Sequence, residues 1–193
     1  NETKLRLDAN RAWEWDDALI FARAIKNCKI EYCEEPLKFE CPPSNLQKLE
    51  QLYEQTGMPL ALDETLWNTS SPKQNFSLAN VSISWVQALI LKPGVLGGWD
   101  STKKWIDHAQ KNGLQSVFSS CFESGLGLHW IAFMASELLS ESIPTGLDTA
   151  KWFAQDLIYP HFSINQGSYL LPNSWPKANE DLLKQIDHGI WEK

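Results

Sequence analysis

The chain has 193 residues, 43% of them hydrophobic and 11% aromatic, enough to bury a core without disulfides or metal. A formal charge of −7 with no Lys/Arg-rich run excludes nucleic acid or an anionic membrane surface as the main partner, although a divalent cation can still bridge such a protein to an anionic substrate. No apolar stretch reaches the roughly 18 residues needed to span a bilayer, and no basic-then-apolar leader is present, so no membrane association is expected.

The first apolar run, KLRLD, closes at Asp8. A helix is expected over 16–27, with Ala18, Leu19, Ala22 and Ile25 on one face and two aspartates at its start, where they suit the helix dipole. The strand 30–34 follows, ending in Glu34. After Pro42 and Pro43, Ser44 and Gln47 form a capping-box pattern, Leu46, Leu49 and Tyr53 form an apolar face, and Gly57 supplies the stop. A strand over 59–63 ends in Asp63, and the Asn-, Ser- and Pro-rich segment 66–80 reads as a loop with a short helix.

The strand 86–92 ends in Lys92, with Gly94, Gly97 and Gly98 marking the turn. A helix over 101–112 leads through Gly113 to a strand over 116–120, and a helix over about 125–139 follows. The tract 143–148 reads as one more short strand and loop, making about six β/α units. Residues 161–171 alternate around Gly167 like a hairpin, and the tail from Pro172 carries an amphipathic stretch over 180–186 and then Trp191. The expected organisation is a partial (β/α) barrel over 1–159 and a hairpin and tail over 160–193 packing outside it.

Alternation of strand and helix with short connections implies a parallel sheet. An open doubly wound sheet shares that alternation, but its functional residues gather at one switch point. Here Asp8, Glu34, Asp63 and Lys92 close four successive apolar runs about 26 to 29 positions apart, the length of one strand, helix and return in a barrel, whose sites lie at the carboxyl ends of its strands. The fold class is therefore α/β, a TIM-type barrel. A complete one takes about 250 residues, so this one is expected to be incomplete.

Three acids converging on one mouth can supply ligands to a hard cation such as Mg2+, leaving positions for water and substrate. Each acid could instead begin a loop or cap a helix, and Lys92 could be a rim lysine reaching solvent. Alternation turns Glu35 and Glu64 away from the proposed ligands. The tract Ser119-Ser-Cys-Phe-Glu-Ser-Gly-Leu-Gly127 joins a strand to a helix with small residues, so its N–H groups and the helix dipole can receive a carboxylate. It lacks the Walker and GxGxxG spacings, and Ser119 or Ser120 as an acyl nucleophile would lack a GxSxG elbow. His108, His129, His161 and His188 lie away from the strand ends and read as packing or surface residues, as the ten tryptophans read as packing. Cys28, Cys33, Cys41 and Cys121 read as buried reduced thiols, without the paired spacing of a zinc site.

The ordered tracts LDAN (7–10), CEEP (33–36), LDET (62–65), LKPG (91–94) and SSCFESGLGL (119–128) resemble the barrel domain of the enolase superfamily, muconate-lactonising branch. LRLDANRAW and SSCFESGLGL followed by IPTGLDT are most similar to the o-succinylbenzoate synthases within it. The resemblance implies a lyase of menaquinone or phylloquinone biosynthesis that uses Mg2+, with Mn2+ as a substitute. Asp8, Glu34 and Asp63 would be metal ligands, Asn10 would support them, and Lys92 would be the catalytic cation. Ser119, Ser120 and Gly146 would lie near the succinyl or carboxylate part of a small-molecule substrate.

The family's Lys-x-Lys strand has no counterpart, because Lys4 stands alone, and the capping domain is also missing, so this segment alone is expected to be inactive. The resemblance leaves an N-acylamino acid racemase or another enzyme of the superfamily as an alternative, and a non-catalytic metal-binding scaffold as one from a different class. A cytoplasmic or organellar location and a monomer are expected.

Overall fold

The computed structural model describes residues 3–38, 44–67, 83–140 and 143–182. Five strands, β1 (Leu5–Asp8), β2 (Ile30–Glu34), β3 (Leu60–Leu62), β4 (Val86–Leu91) and β5 (Gln115–Phe118), pair in sequence order. All four pairings are parallel, with no reversal of order. The expected sixth strand is reduced to a single parallel bridge, Ser119 to Gly146, in which the Gly146 amide donates to the Phe118 carbonyl at 2.9 Å. The sheet curls as a barrel wall does: Arg6 on β1 donates through Nη1 to the carbonyl of Pro144, beyond β5, at 2.8 Å. The result is an incomplete α/β barrel.

Helices α1 (Trp15–Ala24), α2 (Ser44–Thr56), α3 (Pro93–Leu96), α4 (Trp99–Lys111) and α5 (Gly125–Leu138) connect or follow the strands. The first stops three residues short of its expected end, in a turn that leaves Cys28 exposed instead of buried. The proposed cap at Ser44, together with Cys41, most of 66–80, His188 and Trp191, lies outside the described residues or side chains. The expected glycine turn after β4 contains the one-turn helix α3, closed by Gly97 at φ 94° and Gly98 at φ 82°. That left-handed pair suits glycine and reverses the chain early, so α4 begins two residues before the apolar pattern indicates.

Strand alternation divides the core in two. Leu60, Leu62, Leu89, Leu91 and Phe118 belong to one cluster with Leu49 and Leu52 of α2, Trp105 and Ala109 of α4, and Leu128 and Ile131 of α5. Tyr32, Ala61, Ala88, Ile90 and Val117 form a second, smaller cluster on the concave side.

The C-terminal segment adds a ribbon, β6 (Ile158–Tyr159) paired antiparallel with β7 (Lys177–Ala178). A tight hairpin turn joins Asn165 and Ser168, with Gln166 at φ 50° and Gly167 at φ 76°. Positive φ at both central residues fits the twist of a two-residue hairpin. Tyr169 bonds His129 Nδ1 at 2.8 Å, and the Trp175 ring centroid lies 4.6 Å from both His129 and Trp130, so this segment lies against α5. Trp85 and Trp105 are core residues, but Trp67, Trp99, Trp130, Trp152 and Trp175 are substantially exposed, which corrects the general reading of tryptophan as packing.

Leu89 is fully buried between sheet and helices, whereas Leu5 is 48% exposed. Leu89→Ala should lower unfolding free energy by about 2–5 kcal/mol through lost transfer energy and a residual cavity, against less than about 0.5 kcal/mol for Leu5→Ala, as measured by urea unfolding.

Candidate active site

The period of two that aims Ala61, Ala88, Ile90 and Val117 into the barrel also governs the residues two positions further on or between them. Asp8 follows Arg6, Glu34 follows Tyr32, Asp63 follows Ala61, Lys92 follows Ile90 and Ser119 follows Val117. All five therefore share the concave face at the carboxyl ends of their strands. A cleft of about 260 Å3 beside them is lined by Arg6, Tyr32, Glu34, Val117, Ser119 and Gly146.

Asp63 is 1% exposed, and both its carboxylate oxygens are engaged. Trp67 Nε1 donates to Oδ1 at 2.9 Å, and the Lys92 ammonium makes a short ion pair with Oδ2. The same ammonium lies 5.3 Å from the Trp67 ring centroid, so one indole braces both partners. Burial pulls the Lys92 pKa down, but the hydrogen bond and charge of Asp63, with the charge of Glu34, outweigh it and hold the ammonium above its usual value.

Glu34 is 9% exposed, and burial, then the charges of Asp8 and Asp63, push its pKa up to about 9. Asp8 is exposed, and its Oδ1 accepts from the Asn10 amide at 2.9 Å, so Asn10 reaches it through the main chain. The three acids are thus within electrostatic reach of one another. Among the described residues no three His, Cys, Asp or Glu side chains are grouped closely enough to enclose an ion. The donor set nevertheless suits a hard divalent cation: oxygen ligands only, with more negative charge than one lysine can neutralise.

Glu35 stands behind this face and is fully buried, as alternation predicts for a residue turned away from the cleft. Its Oε1 accepts from the amides of Asp63 at 3.0 Å and Thr65 at 2.9 Å. Its Oε2 accepts from Arg11 Nε and Nη2, each at 3.3 Å, and Arg11 also lies 3.5 Å from Glu64. Glu35 at φ 36° and Arg11 at φ 53° mark the strained turns that bring these groups together. The adjacent Glu-Glu pair in CEEP was the available sequence signal; the Arg11 partner was not.

Ser119 Oγ lies 3.4 Å from the Gly146 carbonyl, and Ser120 Oγ lies 3.0 Å from that carbonyl and 3.1 Å from Thr149 Oγ1. A Cβ on Gly146 would stand 2.9 Å from Ser119 Oγ, so glycine allows this close approach. The Ser119 amide bonds the Leu91 carbonyl and the Gly146 amide the Phe118 carbonyl, and of the two serines Ser119 lines the cleft whereas Ser120 is buried. The expected carboxylate seat at the start of α5 is filled from within the chain: Asp156 Oδ1 accepts from the Gly125 amide at 2.8 Å. That position is therefore not open to a substrate carboxylate.

Arg6 is the cation that reading the strand ends alone missed. A bulge in the β1/β2 pairing shifts register between Leu5 and Arg6, and Arg6 Nε bonds Glu31 Oε2 at 2.8 Å while its guanidinium lies 5.3 Å from the Tyr32 centroid. The hydrogen bond from Arg6 holds the Glu31 carboxyl below its usual range.

The sequence profile of the enolase C-terminal domain-like family matches residues 1–175. The chain is 34% identical over 162 residues to the o-succinylbenzoate synthase of Pasteurella multocida, with 81% of this chain and 44% of that protein covered. It is 36% identical over 159 residues to the Vibrio cholerae o-succinylbenzoate synthase, covering 81% and 45%. It is 30% identical over 182 residues to the chloroplastic protein PHYLLO of Arabidopsis thaliana, covering 87% of this chain and 10% of PHYLLO. The chain thus spans less than half the length of these curated relatives. Among solved structures, muconate lactonizing enzyme from Pseudomonas putida matches with a TM-score of 0.76 at 18% identity, covering 93% of this chain and 48% of that one. MenC from Desulfotalea psychrophila matches with a TM-score of 0.69 at 24% identity, covering 85% and 44%. At these identities the structural matches show the shared fold.

Two outcomes test the local electrostatics. Glu35→Ala should cost about 3 kcal/mol in urea unfolding by leaving Arg11 and two amides without this partner, and Glu35→Gln should cost less because an amide oxygen can still accept. The Glu31 pKa is depressed from 4.5, so its contribution is complete above that unfolded value and is lost as pH falls through the folded one. The stability advantage of the native protein over Glu31→Gln should be constant from about pH 7 to 5 and shrink below about pH 4.5, as followed by urea midpoints.

Proposed function

Because the chain belongs to the enolase C-terminal domain-like family, we propose that it forms the barrel portion of an Mg2+-dependent o-succinylbenzoate synthase, a lyase that dehydrates a succinyl-hydroxycyclohexadiene carboxylate. The observation that carries this reading is the convergence of Asp8, Glu34, Asp63 and Lys92 at the carboxyl ends of four consecutive parallel strands. The identities of 34% and 36% with named o-succinylbenzoate synthases support the choice of reaction.

Asp8, Glu34 and Asp63 would hold Mg2+, or Mn2+ in its place. A cation held there would supply the positive charge that stabilises the negative charge developing on the substrate as the C–H proton next to its carboxylate leaves. In the reaction that proton and a ring hydroxyl depart from the same face, releasing water and leaving an aromatic ring. Lys92 acts as a fixed cation rather than as the base, since its ammonium is tied to Asp63 and braced by Trp67. Glu35 keeps the Asp63 and Thr65 amides, and hence the end of β3, in place. Asn10 restrains the Asp8 carboxylate through its main-chain amide. Ser119 would present its hydroxyl toward the succinyl part, with Gly146 shaping that wall and the buried Ser120 tying the wall to Gly146 and Thr149.

Among the described residues no helix is long and apolar enough to cross a membrane. The bacterial synthases and the chloroplastic relative support a cytoplasmic or organellar setting and a small carboxylate as the partner.

Full-length protein with Mg2+ should dehydrate the cyclohexadiene precursor and should not racemise N-acylamino acids; absence of dehydration overturns the assignment. EDTA should abolish turnover, with Mg2+ or Mn2+ restoring it. Glu34→Gln and Asp63→Asn should each lower kcat/KM by at least about 100-fold, and Lys92→Met should reduce kcat by about 100-fold, as read by product absorbance.

A further inference from the structure

Asp156 has no role in the site just described, yet three main-chain amides converge on its carboxylate. Gly125 donates to Oδ1 at 2.8 Å, Leu157 donates to Oδ1 at 2.7 Å, and Phe162 donates to Oδ2 at 3.1 Å. Two of these amides belong to the C-terminal segment, and the third is the first residue of α5, a helix of 14 residues. A carboxylate there both satisfies an amide that has no partner within the helix and faces the positive end of the helix dipole. A Cβ at 125 would stand 1.9 Å from Asp156 Oδ2, so any larger residue there must push the carboxylate away from the Gly125 amide.

The loop entering α5 carries Ser119 and Ser120, and the same downstream segment holds its other end. Ser120 Oγ is bonded to the Gly146 carbonyl and to Thr149 Oγ1. The stretch 119–125 is therefore clamped at both ends by residues 146–156, at its start through a serine hydroxyl and at its finish through Asp156. Within the loop the Glu123 carboxylate accepts from the Cys121 amide at 2.6 Å, which folds the stretch onto itself between the two clamps.

We propose that Asp156 is a positioning residue that fixes the entry of the 119–124 loop into α5 and thereby sets the placement of the Ser119 hydroxyl at the cleft. Asp156 does not touch substrate; it ties the C-terminal segment to the wall that would receive the substrate's succinyl part. This inference rests on the functional reading above for the identity of the ligand, but not for the clamp itself.

The test uses full-length protein and the variants Asp156→Ala, Asp156→Asn and Gly125→Ala, the last breaking the contact from the helix side while keeping the carboxylate. Hydrogen exchange of the amides in 119–128, o-succinylbenzoate affinity and Mn2+ affinity by electron paramagnetic resonance are measured on each. Asp156→Ala should speed exchange in 119–128 and weaken o-succinylbenzoate binding, each by at least about 10-fold, while Mn2+ affinity stays within about twofold. Gly125→Ala should reproduce both effects, and Asp156→Asn, which retains one acceptor oxygen, should be intermediate. Unchanged exchange and ligand affinity, or a parallel fall in Mn2+ affinity that signals general loosening, overturns the proposal. If Asp156→Ala fails to fold, Asp156→Asn decides by the same criteria. Native protein that binds Mn2+ but not o-succinylbenzoate sinks the functional reading, while the exchange data still decide the clamp.

Discussion

Each strand of this sheet pairs in parallel with the strand that precedes it in sequence, so every carboxyl end opens on the same rim, and the site depends on that alignment. The pairing is enforced by two apolar faces. Leucines of β3 and β4 and Phe118 of β5 lie against the helices, while Tyr32, Ala61, Ala88, Ile90 and Val117 occupy the concave side. Because the strand period is two, fixing Ala61 inward also fixes Asp63 inward, and fixing Ile90 inward fixes Lys92. A one-residue slip in either strand would carry its ionic group to the helix side.

The charged groups on that rim hold one another in a state of mutual constraint. Glu34 is pushed toward its neutral form by burial and by two neighbouring acids, while Lys92 is held charged by Asp63 and Glu34. Behind them the buried Glu35 pairs with the half-buried Arg11 and binds the main chain of β3's exit instead of facing the cleft. Removing Glu35 takes the acceptor from two amides and one partner from Arg11, which is why this group contributes to placement as well as to stability.

Several parts of this arrangement were legible in the residues. The strands were readable because short apolar runs bounded by Gly, Pro and polar residues are distinct from amphipathic helices, and their ordered polar endings pointed to a common rim. Helix ends were less legible: left-handed Gly97 and Gly98 started α4 earlier than its apolar pattern shows, and α1 stopped before Ile25. The turn at 143–148 looked like a strand but makes only one ladder bridge, at Gly146. Cys28 sits next to an apolar run yet falls in an exposed turn, since proximity in sequence does not imply shared burial.

The sequence by itself determined the class of fold, the period that places Asp8, Glu34, Asp63, Lys92 and Ser119 on one face, and the kind of chemistry such a donor set can support. These are local properties, written in residue type and spacing over a few positions. Only the tertiary structure decided which partner each charge meets: Asp63 with Lys92 and Trp67, Glu35 with Arg11, Arg6 with Glu31 across a bulge, and Asp156 with the first amide of α5. Such pairings join residues up to 31 positions apart in these cases, and neither periodicity nor composition carries the distance between them. The expected seat for a substrate carboxylate shows the difference most plainly. The residues identified an anion-binding helix start, and the folded chain supplied the anion from its own C-terminal segment.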